Sequence, residues 1–168
     1  MPTSRVLRDI VFAQHPGFRA LSLDLHMPAT DAPAPVILQL HGGGWRMGTR
    51  SSFSPLVSEK DSFGRMVAAG FAVVAVDYRL SGEAVFPAQC DDVDAAIAWL
   101  SEHGADYGLD PARVVLWGGS AGATLAALAG LAGRRGVCGV IAWYGVSDLT
   151  AMAHHTAGID PPGQSRED

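Results

Sequence analysis

Four stretches of this chain carry apolar and β-branched side chains at nearly every position: Val36 to Leu40, Phe71 to Val76, Val114 to Trp117 and Val137 to Tyr144. A strand that is apolar at successive positions is covered on both faces, as in a parallel sheet clothed by helices. Two earlier stretches, Val6 to Phe12 and Phe18 to Met27, follow another rule. Leu21, Leu23 and Leu25 alternate with Ser22, Asp24 and His26, which predicts antiparallel strands at a sheet edge with one face wet, joined by a turn at His15-Pro16-Gly17. Helical signals lie between the later runs. Ser62 to Ala69 reads as a helix that Gly70 ends. Val93, Ala96, Ile97 and Leu100 recur at helical spacing behind Phe86-Pro87, with proline at a tolerated first-turn position and Asp91 and Asp92 at the dipole's positive end. Ala121 to Ala132 is almost wholly Ala, Leu and Gly, the pattern of a helix buried all round. Strand and helix alternating in this way predict an α/β fold, mostly parallel, with helices on both faces of the sheet.

Composition narrows the classes. The 168 residues match one domain's length, and 48% hydrophobic against 17% charged residues suits an α/β core. A net charge of −5 argues against a nucleic-acid partner. No apolar run approaches the roughly 18 residues of a membrane span, and MPTSRVLRD does not read as a signal peptide. Cys90 and Cys138 lack metal-ligand spacing and fit reduced, buried thiols, so a cytoplasmic protein without cofactor or metal is expected. Asp91, Asp92 and Asp94 are expected to form a solvated helix face and not a metal cluster.

The chemistry gathers where strands end. Gly118, Ser120 and Gly122 spell GxSxG between the Val114 to Trp117 strand and the Ala121 helix. A serine in that sharp turn is pushed above the sheet edge, the glycines permit the close strand–helix approach, and the N–H of Ala121 faces the place where an oxyanion forms. After Val36 to Leu40 the chain runs into His41-Gly42-Gly43-Gly44-Trp45. A glycine triplet behind a core strand lets the backbone turn its N–H groups toward a ligand. His41 reads as a hydrogen-bonding brace for that loop, and Trp45 as either a pocket wall or a cover for the core. Arg46 to Pro55 is a plausible rim. Asp77 stands at a strand's C-terminal end, where open α/β sheets place function, and is expected to be a structural carboxylate because it precedes the nucleophile in the chain.

Together HGGGW at 41–45, DYRL at 77–80, FPAQCDDVDAAIAWL at 86–100, YGLDPARV at 107–114, GGSAG at 118–122 and WYGVSDL at 143–149 resemble the α/β-hydrolase esterase/lipase family. The likeness is to the group related to hormone-sensitive lipase, with its bacterial carboxylesterases and feruloyl-esterase-like proteins. It implies a serine carboxylic-ester hydrolase acting on small-molecule esters, with Ser120 as nucleophile and Gly43, Gly44 and Ala121 as oxyanion-hole donors. An amide or formamide hydrolase of the same fold, or a non-catalytic hydrolase fragment, are the alternatives. The family places its triad acid and histidine after two further strands. Here Tyr144 is followed by loop-like sequence containing His154 and His155, neither where that fold puts its histidine, with Asp148, Asp160, Glu167 and Asp168 as acids. The expectation is therefore the N-terminal part of one α/β-hydrolase domain: edge strands and loop over 1–35, core over 36–149 and a loop-like end over 150–168. A C-terminal fragment or second chain is expected to complete the sheet and the triad.

Overall fold

The computed structural model describes residues 3–52 and 59–151. β1 (Arg5–Ala13), β2 (Leu21–Met27), β3 (Ala34–Leu40), β4 (Ala72–Val76), β5 (Leu109–Gly119) and β6 (Val137–Trp143) form one sheet in the order β1-β2-β4-β3-β5-β6. β1 pairs antiparallel with β2, and β2 with β4; β4, β3, β5 and β6 run parallel. This is the expected mostly parallel sheet of an α/β-hydrolase. α1 (Glu59–Ala68), α2 (Ala88–His103) and α3 (Ala121–Leu131) cover it.

The pleat sorts the apolar runs between two cores. Leu23, Leu25, Val36, Leu38, Leu40, Val74, Val76 and Leu116 point to the face covered by Val93, Ala96 and Leu100 of α2 and Leu125 and Ala126 of α3. Val73, Ala75 and Trp117 point the other way, under Phe63, Met66 and Val67 of α1. Each fully buried Leu or Val contributes about 1.5–3 kcal/mol, so β3 and β4, buried almost throughout, fix the centre of the sheet.

Four expectations need correction. β2 has no wet face: Asp24 and His26 are buried, because α1 packs beside His26, Phe63 meeting its ring edge-on at 4.9 Å, and arginines neutralise Asp24. β5 begins at Leu109, earlier than its apolar run, with Asp110-Pro111 inside it. Pro35 pairs with Asp110 and Val36 with Val114, so residues 111–113 bulge out of the ladder; Pro111 has no N–H to give it, and Asp110 ties the bulge to the Ala112 N–H and Arg113. α3 is not buried all round, since Leu128 and Leu131 are exposed. Cys138 is exposed, not buried; both cysteines are free thiols.

Among the described residues β6 is the edge strand opposite β1, and its Val140, Ile141 and Trp143 are 39–45% exposed. Ile141 and Trp143 border an apolar trough of about 610 Å³ on the α1 face, whose walls include Met66, Phe71 and Trp117. No helix among the described residues is long and apolar enough to cross a membrane.

Candidate active site

The parallel register brings three strand ends level. Leu40 pairs with both Val76 and Gly118, so His41, Asp77 and Ser120 leave the sheet along one edge. Ser120 adopts φ 54, ψ −120 between β5 and α3, a left-handed conformation that costs a non-glycine residue roughly 1–3 kcal/mol and persists only where the surroundings impose it. Its N–H donates to the Trp143 carbonyl at 2.9 Å, and its own carbonyl accepts the N–H groups of Ala123 and Thr124. Its side chain makes no helix-capping bond. Glycine is obligatory on either side. A Cβ on Gly118 would lie 2.2 Å from the Gly122 carbonyl carbon, and one on Gly122 would lie 2.1 Å from the Leu40 oxygen, so α3 meets the end of β3 backbone to backbone.

The glycine loop lies beside this turn. A Cβ on Gly42 would come 3.6 Å from the Ser120 Cβ. Gly43, Gly44 and Trp45 then take φ 117, 59 and 58 in succession, and the Gly43 carbonyl accepts the N–H groups of Arg46 and Met47. His41 braces the start of the loop. Its buried ring stacks on Tyr78 at 4.2 Å, its carbonyl accepts the Tyr78 hydroxyl at 2.8 Å, and its Nδ1 sits 2.7 Å from the Gly42 oxygen. A carbonyl only accepts, so that bond defines the Nδ1–H tautomer. Burial pushes the ring's pKa down, against the Gly42 bond and the charge of Asp77, which push it up, and burial pushes the Tyr78 phenol up, keeping it a donor. The Gly42 carbonyl and the Gly43 N–H belong to one planar peptide and point in opposite directions. Holding the carbonyl thus sets the direction of the N–H.

Trp45 turns out of the glycine loop toward the sheet's main core. It packs against the main core and also borders a cavity of about 180 Å³ with Phe86, Thr124, Leu125, Leu128 and Leu149. The Ser81 N–H, donating to the Trp45 carbonyl at 2.7 Å, secures its left-handed backbone. Asp77 accepts the backbone N–H of Arg50 at 2.9 Å. Asp92 is not part of a solvated face: it is fully buried, held by the backbone N–H and guanidinium of Arg79 and by His15 at 3.0 Å. Tyr78, Arg79 and Arg50 were not singled out by their residue types, since each acts through a partner more than ten positions away; the DYRL run was the one local signal for the first two.

Other titratable groups are engaged elsewhere. His26 packs on Phe63, and His103 lies 5.4 Å from the Trp99 ring. Asp148 is exposed and caps the turn that follows it, accepting the N–H groups of Thr150 and Ala151 and the Thr150 hydroxyl. Residues 149–151 are helical, the last two of them within the expected loop-like end. His154, His155, Asp160, Glu167 and Asp168, with the rest of the expected 150–168 end, lie outside the described residues. Among the described residues no group of three or more His, Cys, Asp or Glu side chains is placed to hold a metal ion.

The BD-FAE family model matches residues 23–167. The chain belongs to the BD-FAE family. Among curated relatives, Esterase LipQ of Mycobacterium tuberculosis is 43% identical over 116 residues, 67% of this chain and 26% of LipQ. Esterase LipI of the same organism is 36% identical over 127 residues, 67% of this chain and 38% of LipI. A solved bacterial heroin esterase superposes with a TM-score of 0.61 at 33% identity, over 80% of this chain and 42% of that one. The matched part of this BD-FAE chain therefore covers less than half the length of each of these relatives.

Proposed function

We propose that this chain carries the nucleophile and oxyanion hole of a serine carboxylic-ester hydrolase that works through an acyl-enzyme on Ser120. The observation that carries the reading is the left-handed Ser120 turn lying against the Gly42 backbone. Oγ of Ser120 attacks the ester carbonyl and gives its proton to a histidine. The N–H groups of Gly43, Gly44 and Ala121 hold the tetrahedral oxyanion, the alcohol leaves with that proton, and water then releases the acid and restores the serine. One such donor is worth on the order of 10² to 10³ in rate. The substrate is a small-molecule ester, with Trp45 forming a wall of the pocket beside the loop.

The base and acid are assigned to polypeptide outside the described residues that also covers β6. His15, His26, His41 and His103 are committed to other contacts, β6 exposes apolar side chains, and the matched part of this chain covers only 26%, 38% and 42% of the related esterases. Free thiols on Cys90 and Cys138 fit the reducing cytoplasm. The test is a fluorophosphonate probe and p-nitrophenyl butyrate on the full-length protein and its Ser120→Ala variant. Labelling should vanish and turnover fall by at least about 10³-fold. A Ser120→Ala protein that still hydrolyses the ester at the parent rate defeats the proposal.

A further inference from the structure

We propose that Arg50 is the positioning residue of the glycine loop, clamping its far end to carboxylates on three different strands. The functional side of this proposal rests on the reading of Gly43 and Gly44 as oxyanion donors. The loop's near end is fixed by β3 and His41; its far end is fixed by Arg50 alone among the described charged side chains of the loop. The backbone N–H of Arg50 donates to Asp77 at 2.9 Å and its Nε to Asp24 at 2.8 Å, while Nη1 reaches Asp77 and Nη2 reaches Asp9. Asp24 projects from β2 and Asp77 from the end of β4. Asp9 sits in a bulge of β1, at φ 60, where its own N–H donates to Asp24 at 2.9 Å.

Three carboxylates around one guanidinium are not balanced by it. Arg8, 2.9 Å from Asp24, supplies a second cation, and Arg19, bonded to Glu83 at 2.7 Å, lies 3.8 Å from Asp77. The Asp24 and Asp77 side chains are 3% and 10% exposed, so removal of the cation leaves buried like charges facing one another. Arginine is the residue this site requires, because its rigid planar fork directs donors to several acceptors at once whereas a lysine ammonium is a single flexible point charge.

The clamp reaches the glycines through Gly48, two residues earlier. A Cβ there would lie 2.4 Å from the His41 Nδ1 and 2.6 Å from the Gly42 oxygen. Residues 46–48 thus lie directly over 41–43, and the Arg46 and Met47 N–H groups bond the Gly43 carbonyl. With residue 50 pinned, that strut presses on the peptide whose other side carries the Gly43 N–H; unpinned, both layers of the loop regain conformational freedom.

The test uses Arg50→Met, Arg50→Lys and Asp9→Asn in the full-length protein, read by hydrogen–deuterium exchange and by ester turnover. In Arg50→Met, peptides covering 41–50 should exchange about ten-fold faster while β3 and β4 keep their protection, and kcat should fall about ten-fold with KM unchanged. Arg50→Lys should recover part of both. Asp9→Asn strips the negative charge from one exposed contact and should raise loop exchange about two-fold, which keeps the proposal testable if Arg50→Met does not fold. Parental exchange in the loop of Arg50→Met, or in Asp9→Asn if Arg50→Met does not fold, overturns the clamp. So does a loss carried entirely by KM. A parent protein without esterase activity would defeat the Ser120 reading instead, and the exchange data would still judge Arg50.

Discussion

Replacing His41 separates bracing from proton transfer at this site. His41→Ala removes the Nδ1–H bond to the Gly42 carbonyl and the stack on Tyr78, worth about 0.5–1.5 kcal/mol each. With the cavity left behind, the loss of stability should be about 2–4 kcal/mol. The catalytic consequence runs through the shared peptide plane. On the proposed reading of Gly43 as an oxyanion donor, release of the Gly42 carbonyl leaves its N–H no longer aimed, and the ceiling on the effect is the 10² to 10³ or so of one lost donor. We expect kcat to fall about 10- to 100-fold with KM within about two-fold. His41→Asn, whose amide nitrogen stands near the place of Nδ1, should stay within about ten-fold of the parent. Burial depresses the folded-state pKa of His41; a group depressed in this way favours folding above its unfolded pKa of about 6.5 and costs stability as pH falls through that value. The pH–rate midpoint of His41→Asn should therefore match the parent's, because a buried neutral brace does not report its own titration. Steady-state hydrolysis of p-nitrophenyl butyrate from pH 5 to 9, with thermal melts alongside, measures all of this. Unchanged kcat in His41→Ala, or a displaced midpoint in His41→Asn, would refute the peptide-plane argument.

Two glycines make opposite cases. Gly122→Ala drives a Cβ to 2.1 Å from the Leu40 oxygen and should cost more than about 3 kcal/mol in denaturant melts, with esterase activity lost; Gly44→Ala meets no atom within 4 Å and should cost only the roughly 1–2 kcal/mol of its left-handed backbone. Asp24 provides the acid-side prediction. Burial raises its pKa, but bonds from Arg50 and the Asp9 N–H, with the charges of Arg50 and Arg8, outweigh burial and hold it below the usual carboxylate value. Its contribution is then full above the unfolded pKa of about 3.9 and disappears as pH drops through the lower folded value. Melting temperature should decline below about pH 4 in the parent and decline less in Asp24→Asn.

The parts of the molecule legible in the sequence are those decided within a few residues. Val36 to Leu40 and Phe71 to Val76 announce buried parallel strands by their own composition, and GGSAG and HGGGW announce tight turns because only glycine tolerates the approach they require. The rest depended on partners distant in the chain. Asp24 and His26 looked solvent-facing by alternation, yet Arg50 and α1 arrive from 26 or more positions away to bury them. Asp92 looked like one of three solvated acids until Arg79 and His15, 13 and 77 positions away, closed on it. Leu128 and Leu131 fit a buried helix by type, and their exposure is set by where α3 lies on the sheet.

The contact between Gly122 and the Leu40 carbonyl has a lasting consequence. Because no side chain stands between Gly122 and the Leu40 carbonyl, the spacing where the serine's helix crosses the end of the strand that launches the glycine loop is set at that point by main chain. Substitutions that swell or shrink the hydrophobic layers beneath can accumulate over evolutionary time without retuning that spacing, so a lineage built on this scaffold is free to diversify its interior while its reactive geometry stays put.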